Sequence, residues 1–167
     1  FPDAGLAIAP LYDEPFMAAL PMQHPLASQT SITTDQLKNE TMLLLGNGHC
    51  FRDHVLEVCP EFARYASQAD GIRKTFEGSS LETIKHMVAA GMGVTLVPRL
   101  SVPEQSDKPG RQDAPVRYLP VVDPQGGPPP TRRVVLAWRR SFTRYEAIAA
   151  LRNAIYACAL PGVTRLS

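Results

Sequence analysis

Residues 79–98 read SSLETIKHMVAAGMGVTLVP, and the fold is decided by how this stretch is read. Ser79 followed by Glu82 is a capping box, which satisfies orphan N–H groups at a helix start. Leu81, Ile84, Met87, Val88 and Gly91 then share one helical face, and Gly91 with Gly93 supplies the stop. Val94 to Val97 is a continuous apolar run closed by Pro98, as in a buried strand. Ile72 to Phe76, just upstream, reads as another strand. Strand, helix and strand in this order predict a βαβ unit with a parallel sheet.

Further upstream, Thr41 to Leu45 is a second buried strand, and it delivers the chain to Gly46 and Gly48. Phe51, Val55, Val58 and Phe62 follow at helical spacing, which predicts a short helix from Cys50 or Phe51 to Val58. Pro60 ends it, having no N–H to donate, and could open a second helix. Towards the start, Ala4 to Pro10 reads as a strand, Pro10 with Asp13 as a turn, and Pro15 to Pro21 as a second strand. A loop from Gln23 to Thr33 leads to a threonine-capped helical turn over 34–38.

Downstream, Pro103 to Pro115 is a polar, proline-rich loop or crossing. Val116 to Val122 and Val134 to Trp138 are strands separated by a breaker, DPQGGPPP, at 123–130. An amphipathic helix from Arg144 to Ala159, with Ile148, Leu151, Ile155 and Ala159 on one side, closes the chain.

Of the 167 residues, 44% are hydrophobic and 20% charged, which places the chain among globular rather than disordered proteins. Its net charge of +1 and scattered basic residues give no electrostatic footprint for nucleic acid within these residues. No apolar run reaches the roughly 20 residues of a membrane span, and the start lacks the pattern of a signal peptide. A start at Phe1 rather than Met reads as a piece of a longer protein. Three cysteines, an odd number, argue against a secreted disulfide framework and favour the cytoplasm.

Two of those cysteines lie in GNGHCFRDHVLEVC at 46–59. Cys50 falls at a helix N-terminus, where unpaired N–H groups and the macrodipole favour a thiolate, and His49 and Arg52 add donor character. The plainer reading is a small buried residue at a strand end. Cys59 stands nine positions on, about 13 Å further along a continuous helix and on its opposite face. A disulfide needs Cα atoms roughly 4.4 to 6.8 Å apart, so either the pair is unrelated or bridging unwinds the segment. Pro60 lowers the cost of unwinding, and a bond worth roughly 2 to 4 kcal/mol could offset the lost contacts of Phe51, Val55 and Val58. His49, Cys50, Asp53, His54 and Cys59 lack CxxC or HxxxH spacing, so no metal site and no cofactor is expected. A Cys-His hydrolase is disfavoured too, since nothing marks an oxyanion hole. Cys158 reads as a packing residue, and His24 and His86 as surface or rim residues.

Gly48-His49-Cys50-Phe51-Arg52-Asp53 with Cys59 is similar to the redox-active motif of the OxyR family, peroxide-sensing LysR-type transcriptional regulators. The run from Ser79 to Pro98 resembles LysR-type effector domains generally. The resemblance covers essentially the whole chain and implies an α/β, periplasmic-binding-protein-like two-lobe regulatory domain. Its second lobe would be complete (15–117) and carry the switch. The first would be present only in part, as a crossing strand and remnant (1–14) and a C-terminal return (118–167).

By this resemblance Cys50 is the peroxidatic cysteine and Cys59 the resolving one. Gly48, His49, Arg52, Asp53 and Arg132 would shape the peroxide pocket, with Arg133 as the alternative to Arg132. Oxidation would refold residues 49–64. The implied partners are hydrogen peroxide, further copies in a dimer or tetramer, DNA through a winged helix-turn-helix domain outside this sequence, and RNA polymerase. No enzymatic turnover and no membrane contact are implied. Pro60 departs from the family's pattern. The competing reading is a LysR-type effector domain that binds a small metabolite between its lobes, with Ser79, Ser80 and Thr83 holding an anionic group.

Overall fold

The computed structural model describes residues 5–46, 48–62, 75–103 and 115–166. Its central element is β1, Leu6–Pro21, a single strand of 16 residues. The turn expected at Pro10 and Asp13 is therefore absent. In its place the pairing register shifts between Pro10 and Tyr12, a bulge that absorbs Leu11. A proline has no N–H for the ladder, and a bulge is one place where a strand tolerates it without ending. Leu11 turns inward and is buried.

The first half of β1 pairs antiparallel with β6, Thr131–Arg139, from Leu6 opposite Arg139 to Pro15 opposite Thr131. Its second half lies between β4, Thr95–Pro98, and β5, Val116–Pro120, both antiparallel to it. Ala18, Ala19 and Leu20 are fully buried, as the centre of a covered sheet requires.

β2, Met42–Leu45, and β3, Thr75–Gly78, pair in parallel. The sheet continues from β2 through Val94: Leu43 N–H donates to Val94 O at 2.8 Å, and Val94 N–H donates to Thr41 O at 2.9 Å. Gly93 permits this approach, because a Cβ there would stand 2.5 Å from the Thr41 carbonyl oxygen. The βαβ unit is thus present, but its last strand is antiparallel to β1, so the sheet is mixed rather than parallel. The strand expected at 72–76 begins at Thr75 among the described residues, and the loop expected at 103–115 falls mostly outside them.

Helix α1, Thr34–Leu37, starts where the sequence places it, with the Gln36 side chain accepting from Thr33 N–H at 3.0 Å. Helix α2 is Cys50–Val58, and α3 is Leu81–Ala89. The α3 cap is Ser80 rather than Ser79: its Oγ accepts from Thr83 N–H at 3.1 Å. Glu82 consequently falls outside a capping box and pairs with Lys85 instead. Ile84 and Val88 of α3 and Phe51 and Val55 of α2 close over the core formed by Phe16, Leu20, Leu43, Leu44 and Leu96. Helix α4, Tyr145–Ala157, and the short β7, Thr164–Arg165, finish the chain beside the first half of β1. Among the described residues no helix is long and apolar enough to cross a membrane.

Candidate functional site

Strand β2 ends at Leu45, and Gly48, at φ +94°, turns the chain from it into α2. Only glycine takes that backbone conformation without strain. His49 then stands in extended conformation as the N-cap, making no capping bond with its side chain, and Cys50 is the first helical residue. Gly48, His49 and Cys50 are all exposed, so the thiol sits at a solvent-facing helix N-terminus. This is the placement the sequence predicts, and it sets aside the plainer reading of Cys50 as a buried residue.

Cys59 is the opposite case. It caps the C-terminus of α2 through its N–H, which donates to Val55 O at 2.9 Å, and its side chain is 1% exposed. Burial, with the charge of Glu61 second, pushes its thiol up to about 12. Both thiols are free, and the eight residues between the surface one and the core one are unbroken helix. Past Pro60, Glu61 and Phe62 are helical again, and Phe62 is fully buried. Phe51, Val55, Cys59 and Phe62 are therefore the buried face that α2 and its continuation present to the core. Each large apolar side chain of that face contributes about 1.5 to 3 kcal/mol.

Arg52 does not lie in the open with Cys50. It is 6% exposed, and its Nη1 donates to Leu45 O at 2.7 Å and to Glu77 Oε1 at 3.1 Å. It clamps the first turn of α2 to the ends of β2 and β3. Asp53 is exposed on the outer face of the helix, and His54 Nδ1 is buried without a hydrogen-bond partner among the described residues.

The two arginines of β6 point in different directions, as adjacent residues of a strand must. Arg133 is exposed and bidentate with Asp13, through Nε at 2.9 Å and Nη2 at 3.1 Å, and the arginine holds the Asp13 carboxyl below its usual range. Arg132 faces inward. Its guanidinium lies 5.3 Å from the centroid of the Phe51 ring, and its Nε donates to Glu14 Oε1 at 2.8 Å. Phe51 in turn stacks on Phe16 at 5.6 Å. Of the pair, Arg132 is the one brought to the residue that follows Cys50.

Three residues of this neighbourhood were not singled out from the sequence: Glu14, Phe16 and Glu77. Asp13-Glu14 opposite Arg132-Arg133 is a charge-complementary pairing, but it becomes visible only once β1 and β6 are known to be neighbours. Elsewhere, His24 is more than a rim residue. Its Nδ1 accepts from Leu26 N–H at 3.1 Å, and its Nε2 is 2.9 Å from Glu40, so it ties a short 3-10 helix to the turn that follows α1. Cys158 is exposed at the end of α4 rather than packed. Ser80 and Thr83 turn their hydroxyls to each other at 2.9 Å, which gives the anion-holding reading no support. Among the described residues no group of three His, Cys, Asp or Glu could hold a metal ion.

Comparison with known proteins places these features in a family. Residues 1–158 match the LysR substrate binding domain. The hydrogen peroxide-inducible genes activator of Pectobacterium carotovorum is 38% identical over 144 residues, 84% of this chain and 42% of that protein. The chain thus spans less than half the length of such relatives. Among solved structures, a reduced form of OxyR from N. meningitidis superposes with a TM-score of 0.85 at 36% identity, covering 100% of this chain and 72% of the other. The oxidized form of OxyR superposes at 0.66 with 33% identity, covering 92% of this chain and 66% of the other.

Proposed function

The chain belongs to the LysR substrate binding domain family, and on that premise we propose that it is the hydrogen peroxide-sensing regulatory part of a DNA-binding transcription regulator of the OxyR kind. One observation carries the reading: a single helix opens on an exposed thiol and closes on a buried one. Cys50, as thiolate, attacks one oxygen of hydrogen peroxide. An S–O bond forms, the O–O bond breaks, and the other oxygen leaves as hydroxide, to be protonated to water. The Cys59 thiol then condenses with the Cys50 sulfenic acid, forming the S–S bond and releasing a second water.

The second step cannot occur on the intact helix, for the separation along its axis is about twice what a disulfide spans. Residues 49–64 must refold, drawing Cys59 out of the core and withdrawing Phe51 from Phe16 and Arg132. A bridge worth about 2 to 4 kcal/mol offsets the burial of one or two such side chains, so the refolded segment has to regain part of the lost packing elsewhere. Within this reading Gly48 and His49 frame the exposed thiol, Asp53 borders it, Arg132 approaches it from β6, and Arg52 holds the reduced helix down.

The regulatory domain divides into a second lobe at 15–117 and parts of a first lobe at 1–14 and 118–167. The refolded segment alters contacts between copies in a dimer or tetramer. It acts in the cytoplasm on DNA, through a winged helix-turn-helix domain outside this chain, and on RNA polymerase. The cycle is a switch and not an enzymatic turnover. Treatment with stoichiometric peroxide and mapping of the thiols tests the reading: a Cys50–Cys59 disulfide is expected, and its absence refutes the switch.

A further inference from the structure

We propose that Glu14 is a positioning residue for the reaction at Cys50, holding the Arg132 guanidinium against the first turn of α2 so that its outer nitrogens face the oxygen that leaves as hydroxide. The proposal rests on Cys50 being the peroxide-reactive thiol, and it concerns a residue on the crossing strand rather than in the cysteine motif.

Glu14 is a carboxylate in a place where carboxylates are rare. It is 1% exposed, in the middle of β1, directly opposite Arg132 in the β1–β6 register. A buried charge is retained only when its lone pairs are satisfied. Both oxygens of Glu14 are: Oε1 accepts from Arg132 Nε at 2.8 Å, and Oε2 accepts from Leu100 N–H at 2.8 Å. With one oxygen fixed to backbone just past β4, the carboxylate cannot swing, and the guanidinium it holds cannot either. That guanidinium lies over Phe51, the neighbour of Cys50, and Phe51 is itself fixed against Phe16.

The form of the pairing matters as much as its presence. Arg133 shows what an arginine does when its only task is to pair: Asp13 takes both its Nε and its Nη2. Glu14 takes only Nε from Arg132, because its other oxygen belongs to Leu100. Both terminal nitrogens of Arg132 thus stay outside the ion pair. In the proposed reaction, negative charge develops on the departing oxygen as the O–O bond lengthens. Oriented N–H donors aimed at such a charge lower the barrier because they need no reorganisation when it appears. A lysine could not serve in the same way, since its three donors rotate on a single nitrogen and pairing with Glu14 would leave no separate, planar pair of nitrogens held in place.

The test measures two rate constants for Cys50 in the intact regulator: oxidation by hydrogen peroxide, and alkylation by iodoacetamide, which expels iodide and needs no help at a departing oxygen. E14Q is expected to slow oxidation roughly tenfold or more while leaving alkylation unchanged, and to have no further effect in an R132A background. E14D, which keeps the charge but shortens the reach, is expected to give a smaller loss, selective in the same way. Should E14Q not fold, E14D alone decides. Oxidation at the wild-type rate, or an equal fall in both rate constants, overturns the positioning role. Failure of the unmodified protein to form the Cys50–Cys59 bridge is a different result, and it refutes the peroxide-sensing reading itself.

Discussion

Cys50 opens helix α2 at the surface and Cys59 closes it in the core, the second with 1% of its surface exposed. One thiol meets reagents and the other does not, although they belong to the same three turns of backbone. Removing the buried partner separates the two steps of the chemistry. C59S is expected to let peroxide oxidise Cys50 to a sulfenic acid that persists and can be trapped by a dione reagent, with no internal bridge. A buried hydroxyl without a partner should also cost about 1 to 3 kcal/mol of stability, read by chemical denaturation.

The Cys59 thiol, raised by burial and by Glu61 from its ordinary 9.0 to about 12, makes a definite pH prediction. Below about 9 the thiol keeps its proton whether the chain is folded or unfolded, and its contribution is fully present. As pH rises from there towards 12 the unfolded form loses the proton first, so the folded form loses that contribution. Alkylation of Cys59, negligible at neutral pH, should therefore accelerate above pH 9 by more than the ionisation of an exposed thiol would give. Stopped-time labelling with peptide mass spectrometry reads it.

Arg52 is the fastening of the reduced helix. R52A removes the donor that serves Leu45 O and Glu77, and should cost about 2 kcal/mol. The loss falls on the reduced form, so the Cys50–Cys59 bridge is expected to form at lower peroxide and to be harder to reduce. E77Q, which weakens only the half-exposed end of the clamp, should move both in the same direction and by less. A redox titration against a glutathione series compares the three proteins.

Gly48 turns the chain into α2 at φ +94°, and among the described residues no atom beyond its chain neighbours lies within 4 Å of where a Cβ would be. G48A is therefore a test of backbone strain alone. It should destabilise the entry to the helix by about 1 kcal/mol, visible as faster amide exchange at Cys50 and Phe51 with the core unchanged. Lost exchange protection across β2 and β4 as well would contradict this assignment.

Pro60 sits immediately past the C-cap and limits how far α2 can propagate. P60A should lengthen the cooperative helical run and slow bridge formation after Cys50 is oxidised, leaving the first oxidation step untouched. Quenched-flow thiol counting distinguishes the two steps.

Much of α2 and α3 is legible in sequence because their signals are local. Gly48 before Cys50, the spacing of Phe51, Val55 and Phe62, and Pro60 after Cys59 all act within one or two helical turns. The errors come from competing local readings. Pro10 reads as a breaker, yet partnering along β6 carries the strand through it by way of a bulge. Ser79 and Ser80 both make acceptable caps, and the helix takes the second. What the sequence hides is long-range. Glu14 and Arg132 are 118 residues apart, and a lone glutamate before a proline carries no mark of burial. Arg52 looks like a neighbour of Cys50 in sequence, but the helix turns it two hundred degrees away from that thiol, at roughly 100° per residue, and into the clamp with Leu45 and Glu77.

Strand β1 is laid with one half between β4 and β5 and the other half along β6. Sixteen residues without a joint make it a single beam with two loads. Both groups of partner strands are registered on this one strand, and among the described residues the pairing shifts register along it at the bulge at Leu11. In the proposed switch, a refolding α2 would act on this beam at Phe16, through Phe51, and at Glu14, through Arg132, one residue either side of Pro15 and close to where the partners change. The cysteine helix is therefore seated near the fulcrum, where a small tilt imposed on β1 would give its largest linear displacement at the far ends.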